Sequence, residues 1–327
     1  MKINVLVSFD EKYAPMTGVM LSSLFKTNKH YSFNIYAFIE CTCSNRVIRK
    51  FESFVKNENA DILIFMLSEQ SLLAECPINM HTQISTPTYY RLLAPSILPK
   101  DVHKILYLDG DIIINGDIGE LWSTDLTDKA FAGVEDCCTP SDDCERLGYS
   151  SEYGYYNAGV SLYNLDYWRE HNLSLKAFSY IQDHPSSLTW MDQDVVNCLF
   201  HELRVCLPYS YNFQTFFFAK ENWEKYSDEQ RNSILSFSKN PLAIHYIGKV
   251  KPWDRQYYGC PYNFLWWKNA LRSTWRKYFI QPNIADFVRF CFSLLIHKRK
   301  HLAYRDYQFI IKALSFNKVV TNELLEY

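Results

Sequence analysis

The feature that most limits the folds open to this chain is the stretch at residues 104–117, KILYLDGDIIINGD. Four consecutive apolar residues, Ile105, Leu106, Tyr107 and Leu108, end abruptly in Asp109-Gly110-Asp111. A short, unbroken apolar run reads as a strand buried on both faces, as in parallel sheets covered by helices. Open sheets of that kind bind ligands at the carboxyl ends of their strands, which is where Asp109 and Asp111 stand. In extended chain, residues i and i+2 point the same way. Gly110 between them leaves room for backbone and ligand to come close.

The rest of the chain fits the same class. Residues 3–9, 33–39 and 61–67 read as strands. Residues 13–27 read as a helix with a broad apolar stripe, and 45–55 as a second helix capped by Ser44. Strand, helix, strand, helix, strand is a doubly wound unit. No G-x-G-x-x-G follows the first strand, which excludes the dinucleotide-binding variety. Residues 84–98 predict a helix opened near Pro87, with Arg91 on its polar face. Residues 130–135 and 155–165 predict strands, the second with Gly159 near its centre as a place for close approach. Helices follow at 165–181 and 192–200, the latter opening with acids at the positive end of the helix dipole. An aromatic loop at 209–218 precedes a late strand at 242–247. The expectation is an α/β fold: one Rossmann-like domain over residues 1–282 with a mixed, mainly parallel sheet, and a helical basic tail over 283–327, divided near Pro282.

Composition narrows the function classes. The chain has 327 residues, 48% of them apolar, which is ample for a core. Its net charge of −2 does not announce a nucleic-acid binder. The charge is uneven, however. Residues 266–305 carry nine Lys or Arg against the single acid Asp286. An asymmetry of that size points to an anionic partner for the basic end. The ten cysteines form no C-x-x-C pair and match no zinc spacing, so they read as reduced, mostly buried thiols of a cytosolic protein. No signal peptide is visible, and no apolar stretch is long enough to span a bilayer.

The Asp109/Asp111 pair has a chemical reading and a bland one. Two carboxylates on one side of a strand terminus can hold a divalent cation with positions left for phosphate oxygens. That is the metal-diphosphate site of a nucleotide-sugar enzyme. The bland reading is a solvated loop pair, and Asp192-Gln193-Asp194 shows that the triplet recurs within this chain.

Six segments, in order, decide between them: Asp10-x-x-Tyr13; Ser85-Thr86-Pro87-Thr88-Tyr89-Tyr90-Arg91-Leu92; Lys104 to Asp111; Tyr156-Asn157-Ala158-Gly159-Val160; Asp192-Gln193-Asp194; and His245-Tyr246-x-Gly248-x-x-Lys251-Pro252-Trp253. Together they cover roughly residues 1 to 265, and the chain resembles the retaining family-eight glycosyltransferases, in particular the bacterial lipopolysaccharide galactosyl- and glucosyltransferases. The resemblance implies a GT-A type nucleotide-sugar-binding domain. It implies transfer of glucose or galactose from a UDP-sugar to a saccharide of a bacterial surface glycan, such as lipopolysaccharide core or O-antigen.

The residues bear this out chemically. A departing nucleoside diphosphate needs its charge neutralised, and a divalent metal does this as a Lewis acid. Asp109 and Asp111 offer oxygen ligands, and His245, distant in sequence but at another strand end, adds an imidazole. A mixed oxygen and nitrogen set leans towards Mn²⁺, with Mg²⁺ still open. The competing account of His245 is a buried, hydrogen-bonded histidine. Gly248 would let backbone N–H groups approach the phosphates and Lys251 would set a point charge on them; a turn with a solvated lysine is the alternative.

The other roles rest on the resemblance. Tyr13 would stack on uracil and Asp10 accept its N3–H, although Tyr13 also suits the first apolar position of its helix. Arg91 resembles the arginine that contacts the donor sugar and braces the metal-site acids, a role compatible with a structural salt bridge. Asp192, Asn157 and Glu135 resemble the positions that bind sugar hydroxyls. The usual pattern has Asp where Glu135 stands, which puts the donor sugar in question. Ser8 and Lys12 also replace more frequent residues near the uridine position. Gln193 matches the residue facing the position of a nucleophile. A neutral amide is a poor nucleophile, so front-side attack by the acceptor hydroxyl is favoured over a covalent intermediate on Asp192 or Asp194. The tail from residue 283 onward resembles the basic, aromatic tails of these enzymes and suits a helix in an anionic membrane interface. The protein would then be cytoplasmic and peripheral to the membrane. The rivals are a haloacid-dehalogenase-type phosphatase using Asp109 and a carbohydrate-binding protein that kept the fold without catalysis.

Overall fold

A computed structural model describes residues 1–68, 73, 76–77, 86–137, 141–249, 251–254 and 262–280. The expected boundary at Pro282 and the tail at 283–327 lie outside the described residues. The strands are β1 (Lys2–Phe9), β2 (Ser32–Glu40), β3 (Ala60–Leu67), β4 (Lys104–Leu108), β5 (Ile112–Ile114), β6 (Phe131–Glu135), β7 (Tyr156–Asn164), β8 (Arg204–Cys206), β9 (Phe213–Gln214) and β10 (Ala243–His245). The helices are α1 (Ala14–Thr27), α2 (Asn45–Lys56), α3 (Ala94–Ile97), α4 (Gly119–Ser123), α5 (Ser141–Arg146), α6 (Leu165–Glu170), α7 (Leu173–Asp183), α8 (Asp192–Phe200), α9 (Lys220–Trp223), α10 (Asp228–Ser238), α11 (Asn263–Arg272) and α12 (Arg276–Ile280).

Seven strands form the main sheet in the order β3-β2-β1-β4-β7-β6-β8. The β1–β2, β2–β3, β1–β4 and β6–β8 pairs are parallel, and β7 runs antiparallel to both neighbours. The sheet is thus mixed and parallel-rich, as expected. Ile105, Leu106 and Leu108 are fully buried, and two hydrophobic clusters lie on the two sides of the sheet. Alternate residues of one strand feed opposite clusters: Leu106 and Leu108 join one, Ile105 and Tyr107 the other.

A second, three-stranded sheet, β5-β10-β9, was not apparent from the sequence because its strands have only two or three residues each. The Ile112-Ile113-Ile114 run after the acidic pair is therefore a strand in its own right. It pairs antiparallel with β10, and β10 pairs in parallel with β9.

Several local expectations need correction. Arg91 does not lie on a polar face: residues Thr86–Leu93 form a 3-10 turn and Arg91 is buried. Ser44 sits at the N-cap of α2 but makes no side-chain cap; its hydroxyl and backbone N–H both reach Glu11 instead. The helix expected over 165–181 is two helices, broken where Asn172 takes a left-handed conformation (φ 52°), which short polar side chains tolerate. Part of the basic C-terminal stretch is folded: α11, α12 and the turn between them bury Trp266, Trp267, Trp275 and Phe279 and leave Lys268, Arg272, Arg276 and Lys277 exposed.

Candidate active site

A cleft of about 640 Å³ opens at the carboxyl ends of β1 and β4, and Asp109, Asp111 and His245 line it together. Their convergence is a matter of backbone register. Asp109 follows β4, which is held against β7 by the hydrogen bond from its N–H to the Gly159 carbonyl (2.9 Å). Asp111 leads into β5, where Ile112 pairs with His245 on β10, and the Tyr246 N–H donates to the Asp111 carbonyl (3.1 Å). Two strand pairings thus bring residues more than a hundred positions apart to one point. His245 Nε2 lies 3.3 Å from Asp111 Oδ1 and 3.9 Å from Asp109 Oδ2.

One ligand atom from each of the three residues lies within 4.8 Å of the others. A chain of hydrogen bonds fixes the imidazole. The Gly159 N–H donates to Asn157 Oδ1, so that oxygen is an acceptor. Asn212 must then present its amide nitrogen to the same oxygen (2.8 Å). Its own Oδ1 faces His245 Nδ1 (3.0 Å) and accepts from it. His245 therefore donates from Nδ1 and turns Nε2 towards the acids, the arrangement by which an outer partner orients a histidine ligand. Gly159 makes the space: a Cβ there would lie 2.2 Å from His245 Cε1 and 2.8 Å from Asp109 Oδ2. These donors fit a divalent cation of the Mn²⁺ or Mg²⁺ kind.

The surrounding charges are arranged around that point. Arg91 is a clamp between the two acidic motifs. Its Nη2 donates to Asp109 Oδ1 (3.0 Å), its Nη1 to the Ala158 carbonyl (2.5 Å), and its plane lies over the Tyr107 ring (3.6 Å). Its Nε is 2.8 Å from Asp192 Oδ2 but directs its hydrogen at the Thr88 carbonyl (3.1 Å). Asp192 Oδ2 consequently accepts no hydrogen bond among the described residues, while the Thr88 hydroxyl donates to Oδ1. Burial pushes the Asp192 carboxyl up to about 6, against the pull of Arg91 and Thr88. At Asp111 burial also acts upward, but Lys251 and His245 outweigh it and hold that carboxyl well below the usual range. The Lys251 ammonium sits on Asp111 Oδ2 (2.6 Å) and the Tyr246 carbonyl (2.7 Å), so it is paired with a candidate ligand and is no free surface lysine.

Gln193 opens α8 with its amide held at both ends. Its Oε1 accepts from the Ala158 N–H (3.0 Å), and its Nε2 donates to Asp136 Oδ2 (3.2 Å). Asn157 Nδ2 donates to the same oxygen (2.9 Å). Asp136 was missed in the sequence, where Glu135 was assigned to the sugar pocket. The structure turns Glu135 away from the cleft, where its carboxylate accepts from Tyr209 and Gln230 (2.8 and 3.1 Å), while Asp136 lines the cleft. The cause is the two-residue period of extended chain: neighbours face opposite sides, so an offset of one residue selects the wrong carboxylate.

Asp10 and Tyr13 also line the cleft, where Asp10 Oδ1 accepts the Tyr13 N–H (2.8 Å) and the Tyr13 ring meets Trp253 edge-on at 6.0 Å. Gly110 lines the cleft too, but its tight neighbour is Thr17 of α1, whose Oγ1 would lie 2.6 Å from a Cβ. Gly248 takes φ +87° beneath the Phe216 ring, a conformation that glycine adopts readily. Of the aromatic loop, Phe213, Phe217 and Phe218 belong to a core cluster and only Phe216 reaches the cleft. Packing, not periodicity, separates the two groups.

The sequence profile of Glycosyl transferase family 8 matches residues 4–257. The chain is 27% identical over 262 residues to a lipopolysaccharide 1,2-glucosyltransferase of Escherichia coli K12, covering 77% of this chain and 73% of that protein. It is 24% identical over 261 residues to a lipopolysaccharide 1,3-galactosyltransferase of Salmonella typhimurium, with the same coverage of 77% and 73%. Among solved structures, the galactosyltransferase LgtC, in complex with donor and acceptor sugar analogues, superposes with a TM-score of 0.74 at 22% identity, over 83% of this chain and 96% of that one. The match in fold, together with the profile spanning the entire cleft-forming region, sets the phosphatase reading aside: the chain belongs to glycosyl transferase family 8.

Proposed function

We propose that this glycosyltransferase moves a hexose, glucose or galactose, from a UDP-sugar to a saccharide acceptor of a bacterial surface glycan such as lipopolysaccharide core or O-antigen, with retention at the anomeric carbon. The observation that carries the reading is the convergence of Asp109, Asp111 and His245 Nε2 at the floor of one cleft, beside Arg91, Asp192 and Gln193. When bound, a divalent cation, with Mn²⁺ preferred, would supply Lewis-acid neutralisation of the donor diphosphate.

The chain's own residues do the rest. Lys251 and Gly248 line the cleft beside Asp111, and Lys251 can share its ammonium between Asp111 and a phosphate oxygen. Asp10 and Tyr13, with Trp253, suit a uracil ring. Asp192 lines the cleft where a sugar hydroxyl would sit, with Arg91 and Thr88 keeping the acid in place. Asp136 takes the sugar-facing role first given to Glu135. Gln193 has its amide fixed by Ala158 and Asp136, so it presents a dipole to the reacting carbon and no nucleophile. This supports front-side attack, in which the acceptor hydroxyl approaches from the leaving-group side and the departing phosphate oxygen takes its proton.

UDP release from UDP-glucose and UDP-galactose in Mn²⁺, compared with EDTA, tests the reading. Release that depends on the metal supports it; binding without turnover of either donor would favour a carbohydrate-binding protein of the same fold.

The basic segment at 283–327 completes the proposal as an anchor on the anionic inner face of the cytoplasmic membrane. No helix among the described residues is long and apolar enough to cross a membrane. Sedimentation with anionic vesicles, full-length protein against a variant with Lys298, Arg299 and Lys300 changed to Gln, tests this. Equal binding would remove the tail's role.

A further inference from the structure

The turn ahead of α8 carries an unusual conformation next to the chemistry. The Gln193 N–H donates to the Trp190 carbonyl (3.1 Å), closing a tight turn in which Met191 adopts φ 55°, ψ −127°. Glycine takes that first central position readily, and residues with a Cβ do not. Met191 is buried, and the turn places Trp190, Asp192 and Gln193 along the cleft. Strained conformations of this kind persist only where the surroundings over-determine them.

The surroundings here centre on Asp194, which is completely buried and does not line the cleft. Its carboxylate accepts five hydrogen bonds: from the N–H groups of Thr189 (2.6 Å) and Trp190 (2.8 Å), from the Tyr155 hydroxyl (2.6 Å), and from Nη1 (3.1 Å) and Nη2 (2.9 Å) of Arg146. Arg146 projects from α5, where Asp143 holds its Nε and Nη2 (3.0 and 2.6 Å), and its Nη1 also donates to the Ser187 carbonyl. One buried acid thus ties Tyr155 at the entry to β7, α5 and both backbone amides ahead of the strained residue into a single unit. A carboxylate so fully engaged has no lone pair aimed at substrate.

We propose that Arg146 and Asp194 form a positioning pin for transfer: they hold the Trp190–Gln193 turn in its glycine-like conformation, so that Asp192 and Gln193 face the donor sugar. Among the described residues the hydrogen bonds of Arg146 go to Asp143, the Ser187 carbonyl and Asp194, so it acts through Asp194. The kinetic part of this inference rests on the glycosyltransfer reading; the structural part does not.

The test compares Arg146→Met, which keeps bulk, with Arg146→Lys, which keeps charge and part of the hydrogen bonding, in the full chain. The pin predicts that Arg146→Met lowers kcat for UDP release at least about tenfold while KM for the donor changes less than about twofold, and that Arg146→Lys recovers part of the loss. It also predicts faster amide hydrogen exchange in the peptide 188–197 of Arg146→Met without donor or metal. Folded Arg146→Met with unchanged kcat, or with unchanged exchange in that peptide, would overturn the proposal. If Arg146→Met fails to fold, Tyr155→Phe, which removes one donor to Asp194 without a cavity, decides: a smaller loss of kcat with faster exchange supports the pin, and wild-type values overturn it. If the wild type releases no UDP, the glycosyltransfer reading falls and the exchange comparison alone decides the pin.

Discussion

The two ends of the cleft are held by different means. At the metal end, Asp109 and His245 arrive through strand pairing: β4 against β7, β5 against β10, with Gly159 clearing the space between them. At the sugar end, Asp192 is set by an ion pair with Arg91 and a hydrogen bond from Thr88, and Gln193 and Asp136 by hydrogen bonds from Ala158 and Asn157. A ladder of backbone bonds is cooperative and tolerates little displacement, whereas a side-chain network can lose one member and keep the rest. Substitutions at the metal end should therefore act nearly all-or-none, and those at the sugar end in graded steps.

The largest effect is expected at Gly159. A Cβ there collides with both His245 and Asp109, so Gly159→Ala should weaken Mn²⁺ binding by about 100-fold or more, since ligands displaced by even an ångström lose their shared geometry. Calorimetric Mn²⁺ titration measures this, and His245→Ala in parallel should match it. Near-normal binding in either variant would break the contrast.

Asn212→Ala comes next. It removes the acceptor that holds the His245 Nδ1 proton, and loss of such a partner costs about 10- to 100-fold in metal affinity. Asn212→Asp keeps that acceptor but sets its second oxygen against Asn157 Oδ1, so it recovers only part of the loss.

Gln193→Ala belongs to the graded class. Turnover should fall by about tenfold with donor affinity nearly intact, as for a group that acts mainly on the transition state. Complete loss of turnover with intact UDP-sugar binding would argue for a covalent role. The smallest effect is expected from Glu135→Gln, whose side chain faces Tyr209 and Gln230: turnover within about twofold of wild type, against a clear loss in Asp136→Asn. A reversal of those two would restore the original assignment of Glu135.

The same contrast explains what could be read in the chain beforehand. The doubly wound half was legible because β1, β2 and β4 are buried strands of five to nine residues, long enough for their apolar runs to stand out. Asp192–Phe200 emerged with its boundaries correct because its acids mark the helix start. The cluster of Asp109, Asp111 and His245 was legible because its residue types are distinctive. The short β5, β8, β9 and β10 carry too few residues to show a period, although β5 and β10 are what bring His245 to Asp111. Asp136 was obscured by a one-residue choice of face. Arg146 and Asn212 are linked to Asp194 and His245 by hydrogen bonds between distant segments, and such bonds leave no local pattern. The burial of Arg91 had the same origin: its counter-charges come from Asp109 and Asp192, which no local window contains.

The central claim is that Asp109, Asp111 and His245 share one cation that receives the donor diphosphate. A crystal of the protein grown with Mn²⁺ and UDP, with anomalous diffraction data collected at the manganese edge, tests it most directly. The account predicts a single strong peak within bonding distance of an Asp109 oxygen, an Asp111 oxygen and His245 Nε2, with UDP phosphate oxygens completing the shell. A peak elsewhere, or UDP bound with no metal at those three residues, would contradict it.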